Sequence, residues 1–210
     1  MKTKIISIAL LFAIMALLPF TVSKCAGTEN VFKKTTATAD IVQKDEVNEQ
    51  LSTDEILCGL VAAQYKNNYS TETLKAIAII LNTNYKLNPD SFDLDDKNVC
   101  LYKKDANNSV KEIYDQISDA VNSVKEKTLC INSKAFYIPY GEISNGHTQA
   151  SEEYSYITSV ASPWDCFSEN YDENAQCIGA SLCGIDYLCK NGSGYEDALK
   201  WYLPQFEITN

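Results

Sequence analysis

The chain has 210 residues, of which 45% are hydrophobic and 22% charged, a composition that fits one folded domain and excludes a disordered chain. Its 28 acidic and 18 basic residues give a formal net charge of −10, which argues against nucleic acid or an anionic membrane surface as partner, because both bind clustered Lys and Arg. The single histidine, His147, excludes a site built from several histidines. We therefore expect no metal and no cofactor, and interpret His147 as a partly exposed loop residue.

The N-terminus is typical of an exported protein. Residues 1–4 carry two lysines, and residues 5–22 form an apolar run without charge. This pattern predicts either a signal peptide over 1–26, cleaved after Ser23 or Ala26, or a membrane anchor, since about 18 apolar residues is the lower limit for spanning a bilayer. Either alternative places the rest of the chain outside the cytoplasm, secreted or anchored.

Residues 27–50 are polar, with a Thr-rich patch followed by an acidic one. We interpret them as a tether, with one short strand around Ile41 and Val42. The folded domain is predicted over 51–210.

Two helices are predicted at the start of this domain. Ser52 and Glu55 have the spacing of a capping box, which predicts a helix from this point to about Gln64. Ser70 can cap a second helix. Its apolar residues recur at the helical period, namely Leu74, Ile77, Ala78 and Leu81. Joined by the polar residues 66–69, the pair predicts a helical hairpin.

The later elements mix helices with strands. Ser109 and Glu112 predict another capped helix, residues 128–140 predict a β-hairpin with its turn at 132–134, and residues 194–203 predict a last helix. The expected fold class is therefore α+β, with the helical hairpin and further helices packed with a small antiparallel β-sheet or barrel.

Several segments resemble one family in the family's own order. Residues 55–64 read EILCGLVAAQ and residues 73–78 TLKAIA, where the family has YLxGVVAxEMP and EALKAQAxAARTY. Residues 156–165 read YITSVASPWD, where the family has PYLxSVxSPWD. Further similar segments are 127–134, 143–153, 178–184 and 194–204. From about residue 53 to residue 204 the chain thus resembles the SpoIID/LytB domain of stage II sporulation protein D and amidase-enhancer proteins.

The resemblance implies peptidoglycan chemistry. Active members are lytic transglycosylases that cut glycan strands between N-acetylmuramic acid and N-acetylglucosamine, and LytB-type members stimulate a wall amidase. The implied partners are therefore peptidoglycan glycan strands and a cell-wall amidase, in wall remodelling during sporulation. The reaction needs a carboxylic acid that protonates the departing glycosidic oxygen. In the family that acid is the Glu of VAxEMP.

Gln64 occupies the position of this glutamate, and an amide cannot donate a proton at neutral pH. We therefore expect a glycan-binding protein whose lytic activity is lost or weak. The alternative is an active lytic transglycosylase with a substitute acid, either Glu72 or Glu55. A third alternative is a secreted structural protein that keeps only the fold.

Other positions of the family motifs are candidates for substrate contact: Tyr65, Lys75, Ser144, Thr148, Trp164 and Ser181. Trp164 has two interpretations, a ring that stacks on a sugar face or a plug in the core. The cysteines of an exported chain can form disulfides, but their pairing cannot be read from the spacing.

Overall fold

The structure is a computed structural model that describes residues 51–66, 68–92, 100 and 107–210. The predicted signal peptide or anchor, the tether and the strand around Ile41 and Val42 lie outside these residues. Among the helices of the described ranges, none is long and apolar enough to cross a membrane.

The described residues form helices packed with short strands. The helices are α1 (Thr53–Gln64), α2 (Thr71–Leu87), α3 (Asn108–Val124), α4 (Leu182–Lys190) and α5 (Tyr195–Tyr202). The strands are β1 (Thr128–Ile131), β2 (Lys134–Ala135), β3 (Tyr140–Gly141), β4 (Ala180–Ser181) and β5 (Glu207–Thr209). Two 3₁₀ turns span Pro89–Ser91 and Pro163–Phe167. This mixture confirms the α+β class.

Local capping signals fix the helical hairpin. The Ser52 hydroxyl accepts from the Glu55 amide at 3.3 Å, and the Ser52 amide donates to the Glu55 carboxylate at 2.8 Å. The Ser70 hydroxyl accepts from the Thr73 amide at 3.1 Å at the start of α2. Both predicted helix starts are thus confirmed, as is the end of α1 at Gln64.

Helix α2 lies at the centre of the fold. It contacts α1, α3, α4, α5 and β1, and from Thr73 to Asn84 all its residues except Lys75 are buried. A helix that is apolar on nearly every side must be covered on every side. The other described elements provide that cover.

The predicted start of the third helix is wrong. The cap is Asn107, whose side-chain oxygen accepts from the Val110 amide at 2.9 Å, so Ser109 lies inside the first turn. Asn caps a helix as well as Ser does, and the Asn107 cap adds Asn108 and Ser109 to the start of the helix.

Two small sheets complete the fold. β1 pairs antiparallel with both β2 and β5, in the order β2-β1-β5. Asn132 and Ser133 form the turn between β1 and β2 with φ of 50° and 63°, which confirms the predicted hairpin. β3 and β4 form a separate parallel pair. The described sheets are open, and no closed barrel forms among the described residues.

One glycine sets the spacing next to β4. Gly179 has a φ of +80°, and a Cβ atom there would lie 2.0 Å from the carbonyl oxygen of Pro139. The Ala180 amide donates to that same oxygen at 3.1 Å. Only glycine therefore allows the backbone to approach this closely.

We predict that Gly179→Ala lowers the free energy of unfolding by about 3 kcal/mol or more, because it adds a backbone collision to an unfavourable φ. The matched control is Gly192→Ala, with a φ of +99° and nothing within 4 Å of the added atom. Gly192→Ala should lower the free energy of unfolding by about 1 kcal/mol, because only the unfavourable φ opposes the substitution. Urea unfolding of both variants checks this, and equal losses would contradict the close approach at Gly179.

Candidate functional site

The candidate site lies at the end of α1, where the hairpin turn meets the segment after β3. Gln64 is the last residue of α1 and is half-buried. Tyr65, predicted to contact substrate, is buried and packs its ring edge-on against Tyr69, with centroids 5.9 Å apart. Lys66 forms an ion pair with Glu142 at 3.2 Å. We call these five residues the hairpin-end site.

Tyr69 contributes a buried hydroxyl that lacks a hydrogen-bond partner in the part of the chain that the structure describes. Its side chain is 7% exposed, and its hydroxyl has no hydrogen-bond partner within the described residues. Burial, followed by the nearby Cys183, Asp186 and Glu142, raises the pKa of this phenol. Tyr69 is therefore a neutral hydroxyl with an unused hydrogen-bonding capacity.

Cys183 lies in the first turn of α4, beside Tyr69 and Glu142. Its amide donates to the Glu142 carbonyl at 2.9 Å. Burial and the neighbouring carboxylates of Asp165, Glu142 and Asp186 raise the pKa of its thiol to about 11. At neutral pH it is a thiol rather than the thiolate that a nucleophile requires.

Glu72 is engaged in a contact that joins two helices. Its carboxylate accepts from the Tyr195 amide at 3.0 Å and pairs with Lys75 at 2.7 Å. Gly194, the N-cap of α5, has no side chain to cap the helix, so Glu72 satisfies an amide that would otherwise lack a partner. The hydrogen bond from Lys75, and then that from the Tyr195 amide, lower the pKa of Glu72. A lowered pKa disfavours a general acid, which must be protonated before it acts.

Two other predicted residues are tied to the fold. Lys75 pairs with Glu72, and its ammonium lies 5.7 Å from the centre of the Tyr195 ring. Glu55 belongs to the capping box at the start of α1, about 13 Å along the helix from Gln64. The structure thus separates Glu55 from the hairpin-end site.

Ser144 and Thr148 are fully buried in the segment between β3 and the second 3₁₀ turn. The Ser144 amide and hydroxyl both donate to the buried Asp165 carboxylate, at 2.9 and 2.6 Å. The Thr148 hydroxyl accepts from the Val160 amide at 3.1 Å. Their polar atoms hold this segment in shape, while His147 is exposed beside them.

Ser181 and Trp164 are also used within the fold. The Ser181 hydroxyl accepts from the Gly184 amide at 3.1 Å and caps α4. The Trp164 indole donates to the Tyr202 hydroxyl at 2.7 Å, and its ring stacks on Tyr187 at 5.8 Å. Trp164 is half-buried, so part of the ring packs inside and part reaches the surface; stacking on a sugar stays a prediction.

Gln64 and Tyr65 therefore belong to the hairpin-end site, while Glu72 and Lys75 pair with each other and the hydroxyls of Ser144, Thr148 and Ser181 form hydrogen bonds within the fold. Sequence reasoning did not find Glu142 or Cys183, which reach the hairpin-end site from distant parts of the chain and have no local signal. Asp165, the anchor of the loop, was visible only as the last letter of YITSVASPWD.

The described cysteines and acidic residues form no cluster that could hold a metal. Within the described ranges, no group of three or more His, Cys, Asp or Glu side chains is placed to hold a metal ion. The seven described cysteines are free thiols, and four of them are buried.

Comparison with known proteins finds a similar family. The SpoIID family, described as stage II sporulation protein, matches residues 42–130. Over these residues the chain is similar to the SpoIID family. The matched range contains the hairpin with Gln64 and extends to β1, so it includes every residue of the hairpin-end site except Glu142.

Two curated relatives extend this SpoIID similarity over more of the chain. Stage II sporulation protein D of Bacillus amyloliquefaciens is 25% identical over 196 residues, covering 79% of this chain and 57% of the relative. Stage II sporulation protein D of Bacillus subtilis (strain 168) is 28% identical over 171 residues, covering 68% and 50%. The chain spans about half the length of these curated relatives.

We predict that Glu72→Gln lowers the free energy of unfolding by about 1 kcal/mol at neutral pH, because it removes the charge that caps α5 and pairs with Lys75. The folded-state pKa lies below the ordinary 4.5. The stabilisation is therefore complete above pH 4.5 and disappears as the pH falls through the lowered pKa. Urea unfolding across this range measures the difference. The exposed Glu152→Gln is the control, and a Glu72 difference that persists in acid would contradict the assignment.

Proposed function

We propose that this SpoIID-like protein acts outside the cytoplasm, where it binds the glycan strands of peptidoglycan during wall remodelling in sporulation and cleaves them weakly or not at all. The observation that carries the proposal is the amide of Gln64 at the end of α1, where the family motif has its catalytic glutamate. The half-buried position of this residue keeps it within reach of a ligand.

The chemistry follows from that side chain. An amide donates and accepts hydrogen bonds but does not release a proton to a leaving oxygen at neutral pH. General acid catalysis contributes about 10²–10⁴-fold in rate. This chain keeps the helix and the turn and therefore retains groups that can bind glycan. Because it lacks the acid, it loses most of the rate of glycan cleavage.

The contacts of two described carboxylates, those of Glu142 and Glu72, support the non-catalytic alternative. Glu142 is paired with Lys66 at 3.2 Å. Glu72 is held ionised as the cap of α5. An active transglycosylase that uses Glu72 would have to break this cap to protonate its substrate.

The hairpin-end site offers groups suited to a sugar. Gln64 can both donate and accept, Lys66 carries a positive charge, and amide and hydroxyl partners of this kind orient sugar hydroxyls. A protein that holds glycan without cutting it can present the strand to another wall enzyme. We therefore include a cell-wall amidase as the proposed partner.

Activity on purified sacculi tests the loss of catalysis. We predict no anhydro-muropeptides from the native chain and partial recovery of product in Gln64→Glu, because the variant restores a carboxyl group at the end of α1. The matched control, Gln116→Glu on the exposed face of α3, makes the same chemical change elsewhere and should yield no product. Abundant product from the native chain would overturn the proposal.

Cosedimentation with the same sacculi tests the binding. We expect the native chain to sediment with them and Lys66→Glu to do so more weakly, because the variant reverses the charge beside Gln64 and repels Glu142. The exposed Lys111→Glu on α3 is the control for net charge. Failure of the native chain to sediment would instead favour a structural protein.

A further inference from the structure

An aromatic surface lies outside the hairpin-end site. Phe167, Tyr187 and Trp201 are 78%, 40% and 46% exposed, and they come from the second 3₁₀ turn, α4 and α5. Trp164 joins them, with its ring centre 5.8 Å from that of Tyr187 and 5.2 Å from that of Trp201, and Phe167 lies 6.5 Å from Tyr187. We call these four residues the aromatic patch.

Hydrogen bonds to the interior hold the patch in place. The Trp164 indole donates to the Tyr202 hydroxyl at 2.7 Å, and the Trp201 indole donates to the Ala161 carbonyl at 2.8 Å. Both indole N–H groups are therefore used, and what the two rings present outward is apolar. Clusters of rigid aromatic rings are typical of the energetic centres of protein interfaces, and a patch of this kind on a soluble surface marks an interaction site.

The surroundings of the patch are acidic. Residues 135–189 contain no Lys or Arg, and the exposed Glu169, Asp172 and Glu173 follow Phe167 directly along the chain. Lys190 pairs with Asp186 at 2.7 Å, which offsets its charge, whereas Lys200 donates to the neutral Pro204 carbonyl at 2.9 Å and keeps its charge. The chain segments that supply the patch are therefore acidic on balance, and we call their exposed carboxylates the negative rim.

We propose that the aromatic patch binds a protein partner whose contact surface carries Arg or Lys beside aliphatic side chains. Such a surface buries the exposed rings, places cations over the faces of Trp and Tyr and matches the negative rim. This interaction is separate from glycan binding at the hairpin-end site and does not rest on it.

Charge and hydrogen bonding disfavour two other occupants. A second copy of this chain would bring two acidic rims together, which costs free energy. Peptidoglycan carries stem-peptide carboxylates that the same rim repels, and the used indole N–H groups cannot donate to sugar hydroxyls. The experiment below distinguishes a second copy of the chain and peptidoglycan from the proposed protein partner.

The experiment measures binding of the purified full chain to two labelled helical peptides by fluorescence anisotropy. One peptide carries Leu and Arg side by side on the same face, and the second has Glu in place of every Arg. We expect saturable binding of the Arg peptide alone. Phe167→Ser and Trp201→Ser should each weaken it about tenfold. The control Tyr137→Ser, at a side chain 43% exposed outside the patch, should leave it unchanged.

The Tm of each variant and its sedimentation with sacculi are measured as well. Phe167 is the most exposed of the three side chains, so Phe167→Ser should keep the native Tm and the native sedimentation with sacculi. Equal binding of both peptides, binding of neither, or unchanged binding by Phe167→Ser would overturn the proposal. Two further results would overturn the proposal. One is self-association of the native chain that is lost in Phe167→Ser, and the other is binding of an N-acetylglucosamine oligomer that is lost in the same variant.

Discussion

The fold depends on three polar side chains buried in the last turns of α2. Asn82 donates to the carbonyls of Lys125 and Lys127 at 2.7 and 2.9 Å. Thr83 accepts from the Leu129 amide at 3.0 Å, and Asn84 exchanges two hydrogen bonds with the backbone of Ile138 at 2.9 and 2.7 Å. Buried polar groups are costly unless they are paired. These contacts therefore fix the register between the central helix and the β1–β2 hairpin more strictly than apolar packing would.

The hairpin-end site depends on this frame without contributing to it. Residue 64 ends α1 at a half-buried position, so a change from acid to amide there leaves the core and the α2 hydrogen bonds intact. The same holds for Lys66 and Glu142, which meet at the surface in an exposed ion pair. Under the proposed function, residue 64 thus carries no proton donor while the scaffold is preserved.

Local signals predicted the elements that local contacts define. Capping residues and apolar period located α1, α2 and α5, because a cap and its helix are neighbours in sequence. The same reasoning misplaced the start of α3, because Asn107 and Ser109 are both good caps and sequence spacing does not distinguish them. Helix α4 was missed because Ser181 caps it only where β4 has already paired with β3.

The site was predictable only in part for the same physical reason. Gln64 and Tyr65 stand in one motif, whereas the cap that Glu72 provides joins residues 123 positions apart. Sequence spacing could not reveal this contact, because it exists only after α5 has packed against α2. The serine and threonine candidates show a related effect: hydroxyls conspicuous in the sequence proved to be buried anchors of the loop before Asp165.

The central claim is that the hairpin-end site binds glycan and leaves it intact. Its most direct test is equilibrium titration of the native chain with a tetrasaccharide of alternating N-acetylglucosamine and N-acetylmuramic acid, followed by mass spectrometry of the recovered sugar. The account predicts saturable binding and recovery of the tetrasaccharide at its original mass. Recovery of shorter, anhydro-ended fragments, or no saturable binding, would contradict it.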